Sequence, residues 1–221
     1  MPNPHRNRQD TPFGFTLIEL IVVIAVMSVL AGTVAPLVTA TQEAEKVVTA
    51  QAELEAIADA LAEHYFDTGS FPAALTTAGF YGKYIQPGVD DSRLKDHWGA
   101  QGYYIVQRSF NPDVMRVHSI GTNASDDGWA SEAYRVEILG SGPGDARTKQ
   151  RMRIIASVLA EFLDGGGALT GTWTTDLAAM GLGTEYQTDG YGTDFDLDSA
   201  TFVLRSAGAD RSLNTADDVI L

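Results

Sequence analysis

The run from Gly14 to Val38, GFTLIELIVVIAVMSVLAGTVAPLV, is apolar throughout except for a few hydroxyls and a single ionisable side chain, Glu19. About 20 such residues, rising 1.5 Å each in a helix, cross the hydrocarbon core of a bilayer. The preceding segment, MPNPHRNRQDTPF, is polar and carries Arg6 and Arg8. A positively charged flank predicts that this end stays cytoplasmic and that everything after Val38 lies on the other side. An ionised side chain inside a bilayer is costly and as a rule has a partner or a task. Glu19 therefore needs a reason. An ordinary secretory signal peptide cut near AGTVA does not supply one, because Glu19 sits badly in its hydrophobic region and Pro36 would directly follow a cut at Ala35.

The stretch GFTLIEL resembles the type III signal of type IV pilins and type II secretion pseudopilins. The resemblance rests on Gly14, Phe15, Thr16, Leu17, the acid Glu19 as fifth residue after the glycine, and the long apolar run behind them. It implies that a prepilin peptidase cuts between Gly14 and Phe15, removing residues 1–14 as a leader, and that the new Phe15 amine is N-methylated. It implies that residues 15–38 form a transmembrane and assembly helix in the bacterial inner membrane. Glu19 would then pair with a Phe15 amine, its own or that of a neighbouring subunit, and set the register of assembly. Pro36 deletes one helical hydrogen bond. It is either a kink at the membrane exit or, as in the family, a place where the helix melts during assembly.

Beyond Pro36, apolar Val47, Ala50, Leu54, Ile57, Leu61 and Tyr65 recur at steps of three and four among many glutamates. This predicts one helix from Phe15 to about Phe66, stopped by DTGSFP with its Gly69 and Pro72. The runs GYYIVQ (102–107), VMRVHSI (114–120) and AYRVEIL (133–139) read as short strands of an antiparallel sheet packed on that helix. The fold class expected is α+β. GSGPG (140–144) reads as a flexible linker, giving a first globular domain at 39–139, a linker at 140–147 and a second domain at 148–221.

The second domain repeats the first in order. IADALAE (57–63) parallels IASVLAE (155–161), and LTTAGF (75–80) parallels LAAMGL (177–182). Asp96, Trp98 and Gly99 parallel Asp189, Tyr191 and Gly192, and SIGTN (119–123) parallels SAGAD (206–210). Four pairings in one order argue for an internal duplication. The second copy has a helix over about 148–164, with Met152, Ile155, Leu159 and Phe162 as its buried stripe, and no membrane half. DTGSFP, DHWGAQGYYI and SAGADRSLNTADDVIL further resemble the major pseudopilin of type II secretion, from whose single-domain pattern the duplication departs.

A formal charge of −14, from 29 acidic and 15 basic residues, argues against phosphate-backbone binding, so no nucleic acid partner is expected. With no cysteine there is neither a disulfide nor a thiolate metal site, and a metal ion is the remaining staple for a small domain. Asp210, Asp217 and Asp218, beside Gly208, have the spacing of the pseudopilin calcium loop, which implies bound Ca²⁺ completed by backbone carbonyls and water. The alternative is a solvated acidic turn. The equivalent loop of the first copy, GTNASDDGWASE, has Asn123 in place of the first acid and reads as degenerate, although Asp126, Asp127 and Glu132 remain in it. DFDLDS (194–199) imitates the start of an EF-hand but has Ser199 and Arg205 where glycine and glutamate are needed, so it reads as the wet face of a strand with Phe195 and Leu197 inside. No HExxH, GxSxG, P-loop or GxGxxG is present, and His5, His64, His97 and His118 have no spaced partners, so no catalytic residues are assigned.

The function these readings imply is a structural subunit of a type II secretion pseudopilus, with N-terminus cytoplasmic and globular domains periplasmic before assembly. The implied partners are a prepilin peptidase, like subunits or other pseudopilins, and an inner-membrane assembly platform. The alternatives are a type IV pilus subunit or minor pilin for adhesion, motility or DNA uptake, and a membrane-anchored calcium-binding module that never polymerises.

Overall fold

A computed structural model describes residues 15–86, 88–98, 102–110 and 112–221. They divide into two compact units, one ending at Val47 and one running from Val48 to Leu221. Helix α1 spans Leu17–Thr68 and contributes to both.

In the first unit every side chain from Phe15 to Gln42 is exposed, and α1 is long and apolar enough to cross a membrane. Its hydroxyls are turned back on the helix: Ser28 Oγ donates to the Ile24 carbonyl at 2.7 Å, Thr39 Oγ1 to Ala35 at 3.1 Å and Thr41 Oγ1 to Leu37 at 2.9 Å. A hydroxyl without a partner is expensive in an apolar medium. Back-bonding lets these residues sit in an apolar run at little cost. The helix continues through Pro36, whose missing N–H leaves the carbonyl one turn earlier without its helical donor.

In the second unit, Leu54, Ile57, Leu61 and Tyr65 of α1 are buried against Met115, Val117 and Ile138 of a three-stranded antiparallel sheet. Its strands are β1 (Ile105–Ser109), β2 (Val114–His118) and β3 (Arg135–Leu139), ordered β1-β2-β3. The register pairs Val106 with Val117 and Met115 with Ile138. Strand β2 lies in the middle and is buried at four of its five positions, as a central strand rich in Val and Met should be. Phe71, Leu75, Phe80 and Leu94, from the loop-rich segment between α1 and β1, close the same core.

Helix α2 (Ser141–Asp164) then covers a second antiparallel sheet, β4 (Asp196–Asp198), β5 (Val203–Ser206) and β6 (Val219–Ile220), ordered β4-β5-β6. Met152 and Ile155 pack on Phe195 and Leu204, and Leu159 packs on Leu177 and Met180 around the short helix α3 (Trp173–Ala179). The α+β class and the helix-on-sheet packing agree with the sequence reading. Phe195 is buried and Asp196 exposed, as the alternation of DFDLDS implied.

One element differs. GSGPG is not a flexible linker: α2 begins at Ser141 and holds all but the first residue of the stretch. Two of its glycines, Gly140 and Gly144, serve close approach. A Cβ on Gly140 would lie 2.8 Å from the Tyr65 ring, and one on Gly144 would clash with the ring of Tyr191. Tyr191 is itself buried in the core beneath α1. The second sheet-and-helix layer is therefore packed against the first, where the sequence predicted a tether.

Candidate functional site

Glu19 caps α1. Its Oε2 accepts from the Thr16 backbone N–H at 2.9 Å and from Thr16 Oγ1 at 2.9 Å, while Thr16 Oγ1 accepts from the Glu19 N–H at 3.3 Å. Thr-x-x-Glu is a capping box, in which two otherwise orphaned donors at a helix start are satisfied reciprocally. The sequence reading looked for a cationic partner and missed this local one, although TLIE carries the signature. Phe15, immediately before the box, is 86% exposed. Gly14 and the leader, residues 1–14, lie outside the described residues.

Two buried aspartates organise the globular unit in matching ways. Asp96 accepts from Ser119 Oγ at 2.8 Å, from the Ile120 N–H at 2.7 Å and from the Trp98 N–H at 3.1 Å. Asp189 accepts from Ser206 Oγ at 2.7 Å, from the Tyr191 N–H at 2.9 Å and from the Thr193 N–H at 2.9 Å. The serine in each case also accepts from the glycine N–H two residues on, Gly121 at 3.0 Å and Gly208 at 3.2 Å. Each aspartate thus ties the turn before its hairpin to the end of the middle strand. Gly99, paired with Gly192 in the sequence comparison, lies outside the described residues.

The C-terminal loop gathers Asp210, Asp217 and Asp218, but their carboxylates serve the loop itself. Asp217 Oδ2 accepts from the Asp210 N–H at 2.9 Å, a bond that holds its carboxyl below the ordinary carboxylate range. Asp218 Oδ2 accepts from the Asn214 N–H at 2.7 Å, Asp210 Oδ1 from the Ser212 N–H at 2.8 Å, and Thr215 Oγ1 donates to Asp217 at 2.8 Å. No group of three or more acids and histidines is poised to hold a metal ion among the described residues. Gly208, at φ +64°, is required where it stands, since a Cβ there would strike the Asp217 carbonyl. In the loop of residues 121–132, Glu132 accepts from the Asp127 N–H at 2.9 Å and Asp126 lies 3.1 Å from His118 Nε2, with the pKa of Asp126 lowered chiefly by that histidine.

A third polar node had no motif to announce it. The buried carboxylate of Asp113 accepts from Tyr65 Oη at 3.2 Å and lies 3.7 Å from Arg108 and 3.4 Å from Arg211. It joins α1, β1 and the C-terminal loop at one point. Burial is the main cause that raises the Tyr65 phenol well above its ordinary value, so the tyrosine stays a donor.

The comparisons bear on the N-terminus first. Residues 13–35 match the family described as the prokaryotic N-terminal methylation motif. The chain is also 29% identical, over 132 residues, to the type II secretion system core protein G of Pseudomonas aeruginosa, an alignment covering 54% of this chain and 90% of that protein. Together the two matches support the type IV pilin and pseudopilin family for this chain.

The matched motif lies on the exposed apolar half of α1, which has a capped start and a carboxylate in its first turn. The match to the core protein is nearly complete on that protein's side and leaves much of this longer chain outside it. No solved structure matches.

Proposed function

We propose that this pseudopilin is a structural subunit of a type II secretion pseudopilus, processed by prepilin peptidase after Gly14 and assembled through the apolar half of α1. The observation that carries the reading is the methylation motif over residues 13–35, lying on a helix whose first 26 described residues after Thr16 are wholly exposed, Leu17 to Gln42. The resemblance to a core protein of a secretion system favours export over motility. In the reading, Glu19 exchanges its capping bonds to Thr16 for a Phe15 amine when subunits assemble, so the capping box holds the carboxylate in the interim. Deleting the gene is expected to abolish type II export and leave twitching intact. Loss of twitching with normal export would transfer the subunit to a pilus.

The matched aspartate nodes, each with its serine, glycine and three-stranded sheet, support an internal duplication of the globular unit. The reading includes Ca²⁺ at the C-terminal loop, supported by three acids within one turn system, with Asp217 and Asp218 rotating off Thr215 to face the ion. Millimolar Ca²⁺ is expected to raise the thermal midpoint, and Asp217→Ala with Asp218→Ala to remove that rise. An unchanged midpoint in the unmodified protein would leave the loop as a hydrogen-bonded acidic turn.

A further inference from the structure

Strand β3 closes the order β1-β2-β3 on an open edge. The Ser119 N–H donates to the Tyr134 carbonyl at 3.0 Å and the Gly140 N–H to the Asp113 carbonyl at 2.8 Å, so Tyr134, Val136, Ile138 and Gly140 turn their backbone groups toward β2. Bonding residues alternate along an antiparallel ladder. The N–H and C=O groups of Arg135, Glu137 and Leu139 therefore point away from the sheet, and none of them has a partner among the described residues. The other edge is different. Beside β1 the Tyr104 N–H donates to the Leu94 carbonyl at 3.0 Å, and Arg108 reaches across to the Phe71 carbonyl at 2.9 Å.

Exposed edges are usually blunted by free charges, a proline or a bulge. Strand β3 has no proline, and its charges are already engaged. Arg135 Nη1 donates to the carbonyls of Trp129 and Glu132, each at 3.0 Å, and Glu137 accepts from Arg116 Nε at 2.7 Å. Leu139 is 51% exposed. Between α1 and the start of this edge lies a groove of about 280 Å³, with Leu54, Tyr134 and Val136 as its apolar lining and Gln51, Glu55 and Arg135 as its polar one. Glu55 is exposed and has no ion pair within 4.0 Å among the described residues.

A row of unpaired N–H and C=O groups along a strand is matched by another extended backbone. The unspent Glu55, in a chain of net charge −14, selects a basic one. A second copy does not supply it. Two β3 edges paired antiparallel are related by a two-fold axis normal to the sheet, which would run the α1 helices packed on the two sheets in opposite directions. Subunits anchored in one membrane carry α1 the same way. We propose that β3 and the groove beside it receive an extended segment of another protein as a fourth strand, with an apolar side chain over Leu54 and Val136 and a lysine or arginine on the same face toward Glu55. Backbone bonds supply the affinity and the groove the choice of segment. The inference goes beyond the assembly reading, on which only the exclusion of a second copy rests.

The test is selection of a phage-displayed library of random heptapeptides on the full-length protein in detergent. Selected peptides are expected to place an apolar residue and a lysine or arginine two positions apart. N-methylation of a synthetic selected peptide is the deciding measurement. Methyl groups on one alternate set of amides are expected to weaken binding about tenfold or more, and methyl groups on the other set to change it by less than about twofold. Glu137→Pro removes an outward N–H, leaves the ladder to β2 in place and is expected to weaken binding about tenfold. Glu55→Lys should turn the selected charge from basic to acidic. If Glu137→Pro does not fold, the N-methylated peptides decide alone. No selected peptide, peptides without the pattern, or binding indifferent to which amides are methylated overturns the inference. A dimer of the full-length protein in detergent that Glu137→Pro dissociates assigns the edge to a second copy and overturns it too.

Discussion

At the scale of single residues, most of the specificity resides in carboxylates that accept several hydrogen bonds at once. Asp96 and Asp189 each take three, two of them from buried or half-buried backbone N–H groups. Replacing either by alanine is expected to cost about 3 kcal/mol of unfolding free energy. Urea denaturation of the compact unit from Val48 onward measures it, and a loss under about 1 kcal/mol at either site would show that water takes over those donors. Pairing Asp96 with Asp189 needed only the recurrence of their neighbours in the sequence. Asp113 was not legible that way, because its partners Tyr65, Arg108 and Arg211 come from segments far apart in the chain. The role of Glu19 as a helix cap was readable in Thr16-x-x-Glu19 but was hidden by attention to its cost in a membrane.

His64 provides a pH readout at the same scale. It packs edge-on against Phe80 and Tyr84, and burial pulls its pKa below the ordinary value near 6.5. The unfolded chain thus takes up the proton more readily than the fold does. The contribution is intact above the ordinary pKa and is lost as the pH falls through it, until the lower folded value is passed. The thermal midpoint is expected to drop between pH 7.5 and 5.5, and to drop less in His64→Gln. An identical drop in both proteins would place the titration elsewhere.

At the scale of elements, periodicity was the dependable guide. Steps of three and four located the buried stripe of α1, and short β-branched and aromatic runs between turn residues located all three strands of the first sheet to within about three residues. Composition misled at GSGPG, because glycine and proline in a row signal a loop whether the glycines supply freedom or merely lack a side chain. The distinction lies in what they touch. Gly144→Ala is expected to destabilise by about 2 kcal/mol, since Tyr191 is buried and has no room to retreat. Gly142→Ala, with nothing within 4 Å, should be neutral or stabilising by up to about 1 kcal/mol through helix propensity. Equal effects at the two positions would mean that the helix start is looser than its packing implies.

At the scale of the whole molecule, the chain joins the apolar half of α1, exposed among the described residues, to a globular unit of two helix-covered sheets packed together. The first property was plain in the sequence, being one-dimensional. The second was not, since the close packing of the two layers depends on Gly140 meeting Tyr65 and Gly144 meeting Tyr191, contacts between segments far apart in the chain. Glu19→Ala is expected to leave the globular unit folded and abolish filaments, measured by electron microscopy of the complemented strain; filaments at normal abundance would remove Glu19 from assembly. The central claim, that this chain is processed and assembled as a pseudopilin, is tested most directly by the intact mass of the protein taken from its native membrane. The account predicts a chain beginning at an N-methylated Phe15. A chain beginning at Met1, or one beginning near Pro36, would contradict it.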